Sequence, residues 1–234
     1  MSVRELQIHW SGSPGDGVAP GQYGPIASRL ILAGRAIATS LLRQLPPSRP
    51  ESPKKILVRC TTLLDPRHFG QVGRSFEVEI AFDYVAAKDL AGAALNEVVA
   101  SHLVEGLARV SDITGWSPGA LAVAKDAAEQ DGYGYSWSWP TKKVRAADAR
   151  RFAYLACTHG PERFSADLLV VRSNGEQLTR VAQFVTGEPH EVRFMPMLGS
   201  LSWNGDTIEL RDSNSAVIAS AVPSSPAPVM NELP

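Results

Sequence analysis

Two Asn-Gly dipeptides, at 174–175 and 204–205, constrain this chain more than any other feature. Tight two-residue hairpin loops need positive φ at their centre, which Asn and Gly supply at little cost. Around Asn204-Gly205 such a loop pairs Trp203 with Asp206 and Leu201 with Ile208. Leu201, Trp203, Ile208 and Leu210 then share one face, and Ser200, Ser202, Thr207 and Glu209 share the other. Turn and two-residue periodicity agree. Around Asn174-Gly175 the same construction pairs Val171 with Leu178 and Leu168 with Val181. One face collects Phe164, Leu168, Val170, Val181 and Val185, while the other still holds Leu169, Val171, Leu178 and Phe184. A hairpin apolar on both sides needs cover on both, and the amphipathic helices upstream are the expected cover.

Those helices are read from apolar spacing. The first runs from Pro25 to Leu45 through Ile26, Leu30, Ala33, Ile37 and Leu41, and Pro46-Pro47 stop it. The second spans 86–110 through Leu90, Ala94, Val98, Leu103, Leu107 and Val110. A third opens at Ser117-Pro118 and ends near Gly132. Residues 3–10 and 56–64 read as strands. Residues 74–84 alternate, with Phe76, Val78, Ile80, Phe82 and Tyr84 inward and Glu77, Glu79 and Asp83 outward. From 133 onward the strand segments are 133–139, 151–159, 163–172, 177–185, 190–195, 200–203, 206–211 and 215–221. The expectation is an α+β fold: a mainly antiparallel sheet from the C-terminal half, with two or three N-terminal helices packed on it. The strands at 56–64 and 74–84 join that sheet or form a small second one. The reading is a single domain over 1–222, helix-rich to 132 and β-rich from 133, followed by a flexible Pro/Ser-rich tail, 223–234.

Composition narrows function by exclusion. A formal charge of −1 gives the whole molecule no general attraction for nucleic acid or anionic membrane. No apolar run approaches the roughly 20 residues that cross a bilayer. The start, Met1-Ser-Val-Arg-Glu-Leu-Gln, lacks the pattern of a secretion signal, and two cysteines do not make a disulfide scaffold. The cytoplasm is the expected location. Arginine outnumbers lysine 17 to 6 and alanine is abundant; this bias reads as a GC-rich bacterial genome.

Chemical signatures are sparse. The Gly-rich stretch 12–24 contains Gly15-Asp-Gly17 but lacks Walker or Rossmann spacing. Cys157-Thr-His159 offers two soft ligands without the further partners a zinc site needs. His102 lies on the apolar side of its helix and reads as a hydrogen-bonded boundary residue; His9 and His190 have no carboxylate partner nearby in sequence. No cofactor and no metal are expected. The best catalytic candidate is the loop with Asp65, Arg67 and His68, an acid, a guanidinium and an imidazole after a buried strand.

Two surfaces remain. Glu77, Glu79 and Asp83 form an acidic stripe, expected to be exposed and to steer a partner with a basic surface. The strand at 133–139 aligns Tyr133, Tyr135, Trp137 and Trp139 on one face, which is either a packed core or a recognition surface. The basic run Lys142, Lys143, Arg145, Arg150 and Arg151 follows it and reads as a solvated helix or loop face. The leading expectation is therefore a non-enzymatic bacterial protein-binding domain, an inhibitor or immunity-type protein, with Glu77, Glu79, Asp83, Trp137 and Trp139 in contact with the partner. A hydrolase built around Asp65, Arg67 and His68 is the alternative. A single-stranded nucleic-acid binder using Trp137, Trp139 and the basic run is the third.

Overall fold

The computed structural model describes residues 3–11, 20–62, 69–72 and 75–223. The fold is α+β, with helices concentrated in the N-terminal half and strands in the C-terminal half. It comprises two compact units, Met1–Tyr135 with Gly160–Glu162, and Ser136–His159 with Arg163–Pro234.

In the first unit, β1 (Glu5–Ser11), β2 (Lys55–Thr61), β3 (Phe69–Val72) and β4 (Ser75–Ala81) form a sheet in the order β1-β2-β4-β3. β1, β2 and β4 are parallel, and β3 returns antiparallel to β4. The strands at 56–64 and 74–84 thus take the second of their two expected placements, a sheet of their own. β3 opens at Phe69 and Gly70, the last two residues of the stretch 65–70 that reads as a loop.

Parallel strands need a long crossover, and α1 (Pro20–Gln44) supplies it between β1 and β2. It starts five residues earlier than Pro25. The second predicted helix is interrupted: α2 (Tyr84–Ala87) and α3 (Gly92–Arg109) are separate, and α4 (Ser111–Thr114) follows. α5 (Pro118–Gln130) begins as the sequence indicates, with Ser117 Oγ accepting from Ala120 N at the N-cap.

Register rows carry the core. Ile8, Val58 and Val78 align across three strands and are buried with Leu30, Ile37 and Leu41 of α1, Val99, Leu103 and Leu107 of α3, and Leu121 of α5. α3 comes very close to the sheet: a Cβ on Gly106 would lie 2.6 Å from Val58 Cγ2.

The second unit holds two sheets. The first, in the order β5-β6-β7-β8, contains β5 (Tyr135–Arg145), β6 (Arg151–His159), β7 (Phe164–Arg172) and β8 (Gln177–Gly187). The second, in the order β11-β10-β9, contains β9 (Ser200–Asn204), β10 (Thr207–Arg211) and β11 (Val217–Ala221). Both Asn-Gly sites are hairpin tips with antiparallel flanks. Leu168 pairs with Val181 as read, but a register shift near the tip sets Val171 opposite Gln177. At the other tip Gly205-Asp206 form the loop, so Trp203 meets Ile208 and Leu201 meets Leu210. The partners move by two residues, which preserves the face.

One core joins the two sheets: Leu155, Leu168 and Val170 from the first, Leu201, Ile208 and Leu210 from the second, closed by Phe194 and Leu198. The inner face of the 164–185 hairpin is therefore covered by this unit's own second sheet, where the upstream helices were expected. Phe164 and Phe194 stack at 4.2 Å. The segment 190–195, read as a strand, is instead the short helix α6 (Glu191–Phe194), with His190 Nδ1 accepting from Val192 N at its start; a 3-10 turn, Met195–Met197, follows.

Candidate functional site

Asp65, Arg67 and His68 lie outside the described residues, as do 12–19 of the Gly-rich loop and 224–234 of the tail. The acidic stripe, which falls within them, is not an exposed row. Glu77 is only 8% exposed, because Arg59 on the neighbouring strand reaches its carboxylate at 2.6 Å. A carboxylate in that position is stable only with a cation beside it. Glu79 is half-buried, and its backbone oxygen accepts from Arg109 at 2.9 Å. Asp83 is exposed but accepts from Ala86 N at the start of α2. Outward alternation identified the sheet face correctly; it could not show a diagonal ion pair formed across two parallel strands.

The aromatic strand divides. Tyr133 precedes β5, with φ of 57°, and is buried in the core of the first unit. Trp137 and Trp139 are half-buried against the core of the second, with the Trp137 ring 6.0 Å from Phe164 and 6.1 Å from Phe194. Their rings serve packing more than display. His102 is the bonded boundary residue its position suggested, with Nδ1 2.7 Å from Val98 O. His159 is buried and its Nε2 lies 3.1 Å from Pro189 O.

Burial pushes the Cys157 thiol up to about 12 and, with Glu105 nearby, holds Cys60 well above its ordinary value. Neither cysteine is in a disulfide, and thiols raised in this way stay protonated at neutral pH, as buried packing groups do. Among the described residues no group of His, Cys, Asp and Glu is arranged to hold a metal ion. A shallow concavity of about 630 Å³ in the first unit is lined by Glu51, Lys54, Gln71, Phe76 and Ile113. It sits where β2 and β4 begin, the opposite end from the strand carboxyl termini that usually hold ligands in parallel sheets.

Two surfaces of the second unit stand out. The first is the basic run, which is no helix: it follows an edge strand into the turn after it, where Arg150 sits, and ends at Arg151, the first residue of β6. Lys142, Lys143 and Arg145 lie on β5, the outermost strand of its sheet. At the tip Asp148 accepts from the backbone of Arg150 at 2.9 Å and Arg151 at 3.2 Å, and from the Arg151 guanidinium at 2.6 Å. The Arg150 amide, followed by the Arg151 side chain, holds the Asp148 carboxyl below the usual range. Arg151 also reaches Asp206 and lies 5.0 Å over the Trp203 ring.

The second surface is apolar. Val192, 69% exposed, and Met195, 52% exposed, stand one turn apart across α6 and the turn after it. Val217 and Ile218 on β11, and Val222 beyond it, are also exposed. Ser213 N donates to Pro196 O at 2.8 Å and Gly199 N to Arg211 O at 3.1 Å, so the Met195 segment is bonded to the hairpin that leads into β11. Pro196 was the one local signal against a strand here; histidine is not a usual N-cap residue, so the cap at His190 shows only in the structure, and the apolar alternation of 190–195 reads as a strand.

No family model, curated protein or solved structure matches the chain. Among the described residues no helix is long and apolar enough to cross a membrane.

Proposed function

We propose that this chain acts by binding another protein, as a non-enzymatic inhibitor or immunity-type domain of the bacterial cytoplasm. One observation carries the reading: Val192 and Met195 are exposed one turn apart, Val217, Ile218 and Val222 are exposed in and just beyond β11, and backbone bonds at Pro196–Ser213 and Gly199–Arg211 tie the two stretches of chain together. Large apolar side chains left open to water favour a protein contact, since covering them removes their area from water. Among the described residues of the first unit the comparable exposed ones, Val85 and Val123, belong to different helices. Two buried cysteines outside any disulfide support a reducing compartment.

The test is affinity capture from the source cytoplasm with wild-type bait and with a Val192→Lys/Ile218→Lys bait, followed by affinity measurement on the purified pair. The expected result is a partner held by the wild type and weakened at least about tenfold by the substitutions, as for residues central to an interface. Equal capture by both baits, or none above background, contradicts the reading.

A further inference from the structure

In the second unit most guanidinium groups are spoken for: Arg151, Arg172, Arg180, Arg193 and Arg211 each lie within 4.0 Å of a carboxylate. Lys142, Lys143, Arg145 and Arg150 have no such partner among the described residues, and all four are exposed. They crowd one strand and its turn in a chain whose formal net charge is only −1. The scaffold beneath them is fixed, because Asp148 binds two turn amides and Arg151.

Lysine and proline on a free strand edge also discourage aggregation, which accounts for Pro140, Lys142 and Lys143. It does not account for Arg145 and Arg150, which extend the charge to the end of the strand and into the turn.

We propose that the β5 edge and its hairpin tip dock an extended acidic segment of a protein partner. The assignment rests on the protein-binding reading above, but on a different surface. β5 has a neighbour on one side only, so backbone groups along its other side can pair with an added strand. Pro140 lacks an N–H, which confines that pairing to the residues around it. A single-stranded nucleic acid fits less well because it needs open ring faces for its bases. Here Lys143 lies 4.8 Å over Tyr154, Arg151 covers Trp203, and Trp137 and Trp139 pack on the core.

The experiment titrates the full chain, at low salt, into labelled poly-glutamate and into an oligothymidylate of equal length, read by fluorescence anisotropy. Poly-glutamate is expected to bind, and reversing Lys142, Lys143, Arg145 and Arg150 together to Glu is expected to weaken it at least about tenfold. Arg163→Glu, a control at the far end of the sheet, should change it less than about twofold. Lys143→Ala/Arg150→Ala, a milder pair, should fall between these. Amide exchange along β5 should slow when the peptide binds. Absence of peptide binding, an equal loss with Arg163→Glu, or unchanged β5 exchange overturns the proposal, and tighter binding of oligothymidylate replaces it with a nucleic-acid surface. None of these outcomes bears on the Val192→Lys/Ile218→Lys test, so the two readings fail separately.

Discussion

The Tyr133 hydroxyl donates to Glu97 Oε2 at 2.9 Å, tying the turn after α5 to α3. Burial, reinforced by the Glu97 carboxylate, pushes the phenol above its ordinary range, so Tyr133 keeps the proton it donates at neutral pH. The bond also anchors a residue whose positive φ is unusual for a bulky side chain. Tyr133→Phe keeps the ring and removes the bond; chemical denaturation should show a loss of about 1 kcal/mol.

Glu97 also accepts from Lys125 at 2.6 Å. That bond, followed by those from Tyr133 and Ser101, holds the Glu97 carboxyl below its ordinary value against the opposing effect of burial. A carboxylate depressed in the folded state contributes stability above its unfolded pKa and loses it as pH falls through the folded pKa. Lys125→Met should therefore be less stable than wild type at neutral pH, by on the order of 0.5 kcal/mol for a pair this exposed. The gap should close in acid, beginning below roughly pH 4.5. Denaturation curves across that window check it, and a gap unchanged to low pH would remove the pair as its cause.

Gly106→Ala should destabilise even though alanine favours helices. The added Cβ would lie 2.6 and 2.8 Å from the two Val58 methyl carbons, both fully buried. Overpacking of that kind costs about 1–3 kcal/mol, more than the roughly 1 kcal/mol gained in propensity. Val58→Ala in the same chain should recover part of the loss, measured as a positive coupling in the thermal midpoint.

Much of this architecture was legible in local pattern. The two Asn-Gly tips, the Ser117 cap and the inward row Val78, Ile80, Phe82 and Tyr84 all depend on neighbours a few residues away. The misreadings came where distant chain decides. α6 reads as a strand because four residues cannot distinguish the two periods, and what buries Phe194 is the stacked ring of Phe164. Glu77 reads as exposed because its partner, Arg59, is on another strand. The candidate surfaces were the least legible: the basic run was visible, but its placement on a strand edge depends on sheet order.

Arg59 and Glu77 supply a direct check on that correction. Glu77→Ala leaves a guanidinium without its carboxylate and should cost about 1–3 kcal/mol. Arg59→Met/Glu77→Leu together should cost less than the two single changes added. Additive losses would show that the pair is not coupled.

Site-specific photo-crosslinking in intact cells tests the central claim most directly. A benzophenone side chain at Ile218 or Val192 should give one discrete adduct with a partner protein, and the same group at Val123, as open to solvent as Val192 but on α5 of the first unit, should not. No adduct from either position, or the same adducts from Val123, would contradict a binding surface at these residues.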